Sequence, residues 1–147
     1  GAVSPLYYAV RGKHEDIVAA LRAAGATSRS IEDVTTLLQA ADAEKGREVA
    51  EILCDECHVI KSDDRPSLGV ASGPSLIGIV GRPVASIKGF DYSPALRAFG
   101  GTWTENRLYA FVLYPMLTVP GTKMNSAPDR KADEIADVIA YLRLLAE

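Results

Sequence analysis

Apolar residues recur at helical spacing in several separate stretches, and strand-like alternation is nearly absent. In "DAEKGREVAEILC", Gly46, Val49, Ala50 and Leu53 stand at i, i+3, i+4 and i+7, which predicts a helix running into the first cysteine. A second stripe, Ile135, Val138, Ile139, Leu142 and Leu145, runs through "PDRKADEIADVIAYLRLLAE". Pro128 and Asp129 mark its start, and further acids lie in the first turns, where the helix dipole favours them. "TENRLYAFVLY" predicts a third helix. There Thr102 and Glu105 have capping-box spacing, Leu108, Phe111 and Val112 face inward, and Pro115 ends the pattern. Glycine in mid-helix, as at Gly46, costs about 1 kcal/mol relative to alanine. Close approach of another helix would offset that, and the C-terminal stripe is the expected partner.

The first forty residues carry their own pattern. "SPLYYAVRGKHEDIVAALRAAGA", residues 4 to 26, reads as two helices broken at Gly12. Pro5 suits a first helical position. Ile17, Val18 and Leu21 line the second helix, and Gly25 closes it. "SRSIEDVTTLLQAA" predicts a further helix, with Ser30 and Asp33 as a cap pair and Val34, Leu37 and Leu38 apolar. The expected organisation is all-α, with a helical segment and connector helix over 1–41 and a main domain over 42–147.

Between the main helices the chain is rich in glycine and proline: "SGPSLIGIVGRP", "IKGFDYSPALRAFGGTW" and "PMLTVPGTKMNSAP". Long irregular segments in a compact domain usually serve a function or wrap something. A flat apolar cofactor at the centre would account for so much loop among so few helices. It would also account for Trp103, the only tryptophan, set among glycines.

Composition narrows the classes. In 147 residues, 48% are hydrophobic, enough to bury a core. The net charge of -3 argues against a general nucleic-acid binder. No apolar run reaches membrane-spanning length, so no transmembrane segment is expected. The opening "GAVSPLYYAV" has neither a positive n-region nor a long apolar h-region, and a secretory signal is expected to lie outside it.

The chemistry concentrates in "CDECH", residues 54 to 58. Four readings fit two thiols followed directly by an imidazole. A structural zinc site usually needs two pairs of ligands, and the only other histidine, His14, lies forty residues upstream. A thioredoxin-like pair belongs between a strand and a helix, and strand patterns are scarce. Two buried thiols beside a surface histidine form the plainest reading. The last is covalent haem attachment, in which both thiols form thioethers to the porphyrin edge and the adjacent imidazole projects at the iron.

From Gly46 to the end the chain resembles the class I c-type cytochromes of the mitochondrial and related bacterial kind. The resemblance rests on Gly46 eight residues before Cys54, then "CDECH", "GPSLIGIVGR", "GFDYSPA", "GTW", "PGTKM" and "IADVIAYL", in that order and at matching intervals. It implies a single haem c held by thioethers at Cys54 and Cys57. His58 would be the proximal iron ligand, its other ring N–H bonded to the Pro74 carbonyl. Met124 would be the distal ligand, its thioether raising the potential. Arg82, Tyr92 and Trp103 would bond or neutralise the propionates, and Thr122 would steady the Met124 loop. Gly46 and Tyr141 would mark the crossing of the first and last helices. On chemistry alone Met116 could also serve as the ligand; only the "PGTKM" register favours Met124.

The function so implied is outer-sphere electron transfer, since six-coordinate iron leaves no site for a substrate. The partner would be a redox protein: a dehydrogenase, reductase or oxidase. Thioether attachment implies maturation in the periplasm or an equivalent extracytoplasmic compartment. Two other readings stand beside it. One is a haem enzyme or gas sensor with a displaceable distal ligand. The other is an interaction module whose haem is structural.

Some positions depart from the family. Ala50 stands where a helix-contact Phe is usual, which predicts a thinner or repacked crossing. Phe111 and Leu96 replace a usual Tyr and Asn that help hold a water near the Met ligand, which predicts a drier pocket. Of the usual ring of lysines, Lys61, Lys88 and Lys123 remain. Residues 4 to 26 resemble instead an ankyrin repeat, in which His14 would make a local structural hydrogen bond. Because one repeat cannot bury its own faces, this segment is expected to dock on the main domain, with Ile17, Val18 and Leu21 covered. It would offer a protein-contact surface, and further repeats are expected upstream.

Overall fold

The computed structural model describes residues 9, 14–25, 35–61, 72–125 and 131–145. The helices among them are α1 Glu15–Ala23, α2 Thr35–Gln39, α3 Ala43–Leu53, α4 Pro94–Phe99, α5 Glu105–Leu113, α6 Pro115–Thr118 and α7 Ala132–Leu144. No strand occurs among the described residues; one isolated bridge pairs Pro83 with Thr102. The all-α expectation holds.

The frame is the crossing of α3 and α7. Asp42 caps α3, its carboxylate accepting from the Glu44 and Lys45 amides at 3.0 and 3.3 Å. The Asp42 amide in turn donates to Asp137 Oδ1 on α7 at 2.6 Å, tying the start of one helix to the middle of the other. Gly46 is the contact point, since a Cβ there would collide with the Asp137 carbonyl. Ala50, Ile135 and Ile139 are fully buried in the resulting core. A small residue at Ala50 thus accompanies a close crossing, not a thin one.

α5 lies against α7 and α6. Its cap is Thr104, whose Oγ1 accepts from the Arg107 amide at 3.3 Å. This corrects the sequence expectation of Thr102: the bridge to Pro83 holds Thr102 in extended backbone, and the helix starts later. Packing from more than one side buries Tyr109 and Ala110 as well as Leu108 and Phe111. α7 starts at Ala132, where the Lys131 amide donates to Glu134 Oε2 at 3.0 Å; Pro128 and Asp129 lie outside the described residues. Leu145, expected on the apolar face, is the C-cap and only half-buried, and its carbonyl accepts from the Gly78 amide.

Of the N-terminal segment, the described α1 packs on α6. Val18 of α1 and Ala9 form a small second core, against which Leu21 and Leu117 of α6 also pack. Ile17, expected to be covered, is 45% exposed, because the buried face runs through Val18 and Leu21. His14 is exposed and makes no side-chain capping bond to α1; the neighbouring repeat residues to which its expected local bond would run lie outside the described residues. Gly25 takes φ +80°, as a helix-closing glycine should. Pro5, Gly12, Ser30, Asp33 and Val34 lie outside the described residues. In the connector, Leu37, Leu38 and Ala41 pack against the main core, and α2 lies on α7.

Candidate functional site

α3 runs directly into the cysteine turn. The Cys54 amide still bonds the Ala50 carbonyl at 2.8 Å, and the next bonds tighten into a turn, Cys57 and His58 amides both donating to the Cys54 carbonyl at 3.0 and 2.8 Å. Both thiols are free and half-buried. Burial, reinforced by the charges of Cys57 and Asp55, pushes the Cys54 thiol up to about 12, so it is protonated at neutral pH.

His58 Nδ1 lies 2.7 Å from the Pro74 carbonyl. A carbonyl only accepts, so Nδ1 carries the proton and Nε2 keeps its lone pair. Burial lowers the pKa of the ring, with the Pro74 bond opposing, which favours the neutral, ligating form. Gly73 lies flat against this imidazole; a Cβ there would collide with the ring. The segment is fastened at both ends, the Gly73 amide to the Cys57 carbonyl at 2.8 Å and the Leu76 amide to the Val59 carbonyl at 2.9 Å.

Arg82 donates to the Ile77 carbonyl at 2.9 Å and the Ser75 carbonyl at 2.6 Å, bracing the strand of chain that follows Pro74. Its amide neighbourhood is stitched to Trp103: the Gly81 amide bonds the Trp103 carbonyl at 2.8 Å, and the Trp103 amide bonds the Arg82 carbonyl at 2.9 Å. Trp103 is buried, its ring centroid 5.1 Å from that of Phe111. Tyr92 is buried beside Phe90, with ring centroids 4.7 Å apart and the Arg97 guanidinium 5.9 Å from its own ring.

Met124 is half-buried and packs on the same core that includes Trp103 and Phe111, as do Cys54 and Leu96. Its amide donates to Thr122 Oγ1 at 3.2 Å. The neighbouring Lys123 reaches the Asp91 carbonyl at 2.9 Å and pairs with the Asp91 carboxylate, tying the Met124 loop to the Tyr92 loop. Met116 sits in α6, whose C-cap Val119 precedes that loop. The Lys123–Asp91 tether was invisible in sequence, because nothing local links charges 32 residues apart. The place of Gly73 against the imidazole was likewise invisible, though the glycine stood inside a quoted motif.

These residues fit a covalently held haem: free thiols on one turn, a neutral imidazole with an available Nε2, and a glycine where a side chain would displace that ring. The comparisons agree. No protein-family model matches the chain. Cytochrome c 2.1 of Caenorhabditis briggsae is 40% identical over 107 residues, covering 73% of this chain and 91% of the relative. A cytochrome c homolog of Rickettsia bellii is 41% identical over 111 residues, 76% of this chain, which thereby spans only 61% of that protein. The structure of cytochrome cH from Methylobacterium extorquens superposes with a TM-score of 0.60 at 30% identity, over 71% of this chain and 99% of that one. On the site and the relatives together, the chain belongs to the class I c-type cytochromes and is a monohaem electron carrier.

Proposed function

We propose that the carrier's iron is held between His58 Nε2 and the Met124 thioether, with Cys54 and Cys57 joined to the porphyrin. The haem, when bound, supplies an iron that accepts and gives up one electron. The remaining work belongs to the chain. The Pro74 carbonyl fixes the tautomer and angle of His58 and makes the imidazole a stronger donor. Thr122 and the Lys123–Asp91 tether hold the loop that presents Met124. Trp103, Phe111 and the buried α3–α7 crossing exclude water and keep the frame from moving, so little reorganisation accompanies electron transfer. Arg82 in this reading acts indirectly, by holding the chain after Pro74, and it would reach a propionate through that same braced loop.

The observation that supports the reading is the 2.7 Å contact of His58 Nδ1 with a pure acceptor, which leaves the lone pair of the other ring nitrogen available for a metal. The test is maturation in a host equipped for c-type cytochromes. The haem should stay on the chain through denaturation, be lost on replacing both Cys54 and Cys57 by Ser, and lose its low-spin spectrum in His58→Ala. A chain that releases its haem on unfolding would refute the thioether assignment.

The partner in this reading is a redox protein met outside the cytoplasm, where thioether maturation takes place. Docking would depend little on a lysine ring. Lys61 pairs with Glu51 and Lys123 with Asp91, so local acids offset two of the three candidate lysines. The ankyrin-like helix α1, seated on α6, would add a contact surface of its own, with Ile17 at its exposed edge.

A further inference from the structure

Arg107 has no role in the sequence pattern beyond a charge in the first turn of α5. Its side chain turns back across the preceding loop. Nη1 donates to the Thr102 carbonyl at 3.1 Å, and Nη2 donates to the Gly100 carbonyl at 2.8 Å and the Phe99 carbonyl at 3.4 Å. The guanidinium also lies 4.1 Å from the centroid of the Phe99 ring. The Phe99 and Gly100 carbonyls stand at the C-terminal end of α4, where a cation is favoured, and the Thr102 carbonyl, which also accepts from the Thr104 amide at 2.9 Å, lies in the loop that follows. The planar fork suits several acceptors at once, which an ammonium does not. Gly101, at φ +74°, leaves the space the fork needs, since a Cβ there would collide with Nη1. The Arg107 amide donates to Thr104 Oγ1 at 3.3 Å, so the clamp is anchored at its root.

We propose that Arg107 is a positioning residue for Trp103. It locks the corner from α4 to α5 and so sets the depth and tilt at which the indole faces the haem; this rests on the placement of Trp103 at the cofactor. The clamp spans residues 99 to 102, and Trp103 is the next residue along. On the far side, the Val84 amide bonds the Gly101 carbonyl at 2.8 Å, so release of the fork frees the loop that this ladder borders.

Trp103 is the only tryptophan, so its emission reports on this position alone. In the haem-loaded wild type, emission should be strongly quenched. Arg107→Ala should raise it severalfold and shift the reduction potential, while the thioether-to-iron absorption persists. Arg107→Lys keeps the charge but not the fork, and should give an intermediate emission. In Arg107→Lys the Val84 amide should exchange about tenfold faster, the scale of one lost charge-assisted hydrogen bond. Lowered melting temperatures with unchanged emission, potential and Val84 exchange would reduce Arg107 to a merely structural residue and overturn the proposal. Unquenched emission in the loaded wild type would instead overturn the placement of Trp103 itself.

Discussion

Replacing Gly46 by Ala should destabilise the protein, although alanine is the better helix former. Helix propensity alone would favour the change by about 1 kcal/mol. The added methyl, however, would collide with the Asp137 carbonyl across the crossing. Backbone cannot swing aside as a flexible side chain can, so α3 and α7 must separate. Overpacking of this kind costs about 1–3 kcal/mol. Separation also lengthens the bond from the Asp42 amide to the Asp137 carboxylate, now 2.6 Å, and a charge-assisted bond contributes about 1.5–3 kcal/mol. The balance is a net loss of about 2–4 kcal/mol, or a fall in Tm of about 5–15 °C at this chain length. Guanidinium unfolding of the haem-loaded protein, followed by circular dichroism, measures it. A variant as stable as wild type or better would refute the reading of Gly46 as a steric contact.

Acidification should loosen the Met124 loop. The hydrogen bond and charge of Lys123, with a smaller contribution from Arg97, hold the Asp91 carboxyl below its ordinary value of 3.8. A depressed folded pKa gives stabilisation that is present above the unfolded value and is lost as pH falls through the folded one. The tether should therefore fail only below about pH 4, and Asp91→Asn should remove that acid-side loss in melting curves; an unaltered pH profile would count against the tether. Phe111→Tyr should cost about 1–3 kcal/mol and shift the potential, because the new hydroxyl is added to a buried ring packed on Trp103; unchanged stability would reveal a partner for it. Deleting residues 1 to 27 should leave the haem spectrum intact and lower Tm, since Val18 and Leu21 would no longer pack with Leu117 of α6; unchanged melting would show that the seat contributes nothing.

How legible these features were depended on how local their causes are. Helices α3, α5 and α7 announce themselves because their apolar residues recur every third or fourth position, although α5 and α7 are packed from more than one side and bury the residues between as well. The cysteine turn is legible for the same reason: Cys54, Cys57 and His58 are joined within one turn of chain. The cap of α5 was misplaced because the choice between Thr102 and Thr104 depends on a bridge to Pro83, nineteen residues away. Ile17 was misread because, among the described residues, the buried face of this short helix runs only through Val18 and Leu21, and hydrophobicity alone does not say which apolar residue falls outside it. Arg107 was illegible because its partners are main-chain carbonyls, and any sequence supplies those.

The central claim is that Met124 and His58 together hold the iron. The direct test is the thioether-to-iron charge-transfer absorption of the oxidised protein, recorded for wild type, Met124→Ala and Met116→Ala. Wild type and Met116→Ala should show the band with the same potential, and Met124→Ala should lack it and have a lower potential. A band that survives in Met124→Ala and vanishes in Met116→Ala would contradict the assignment.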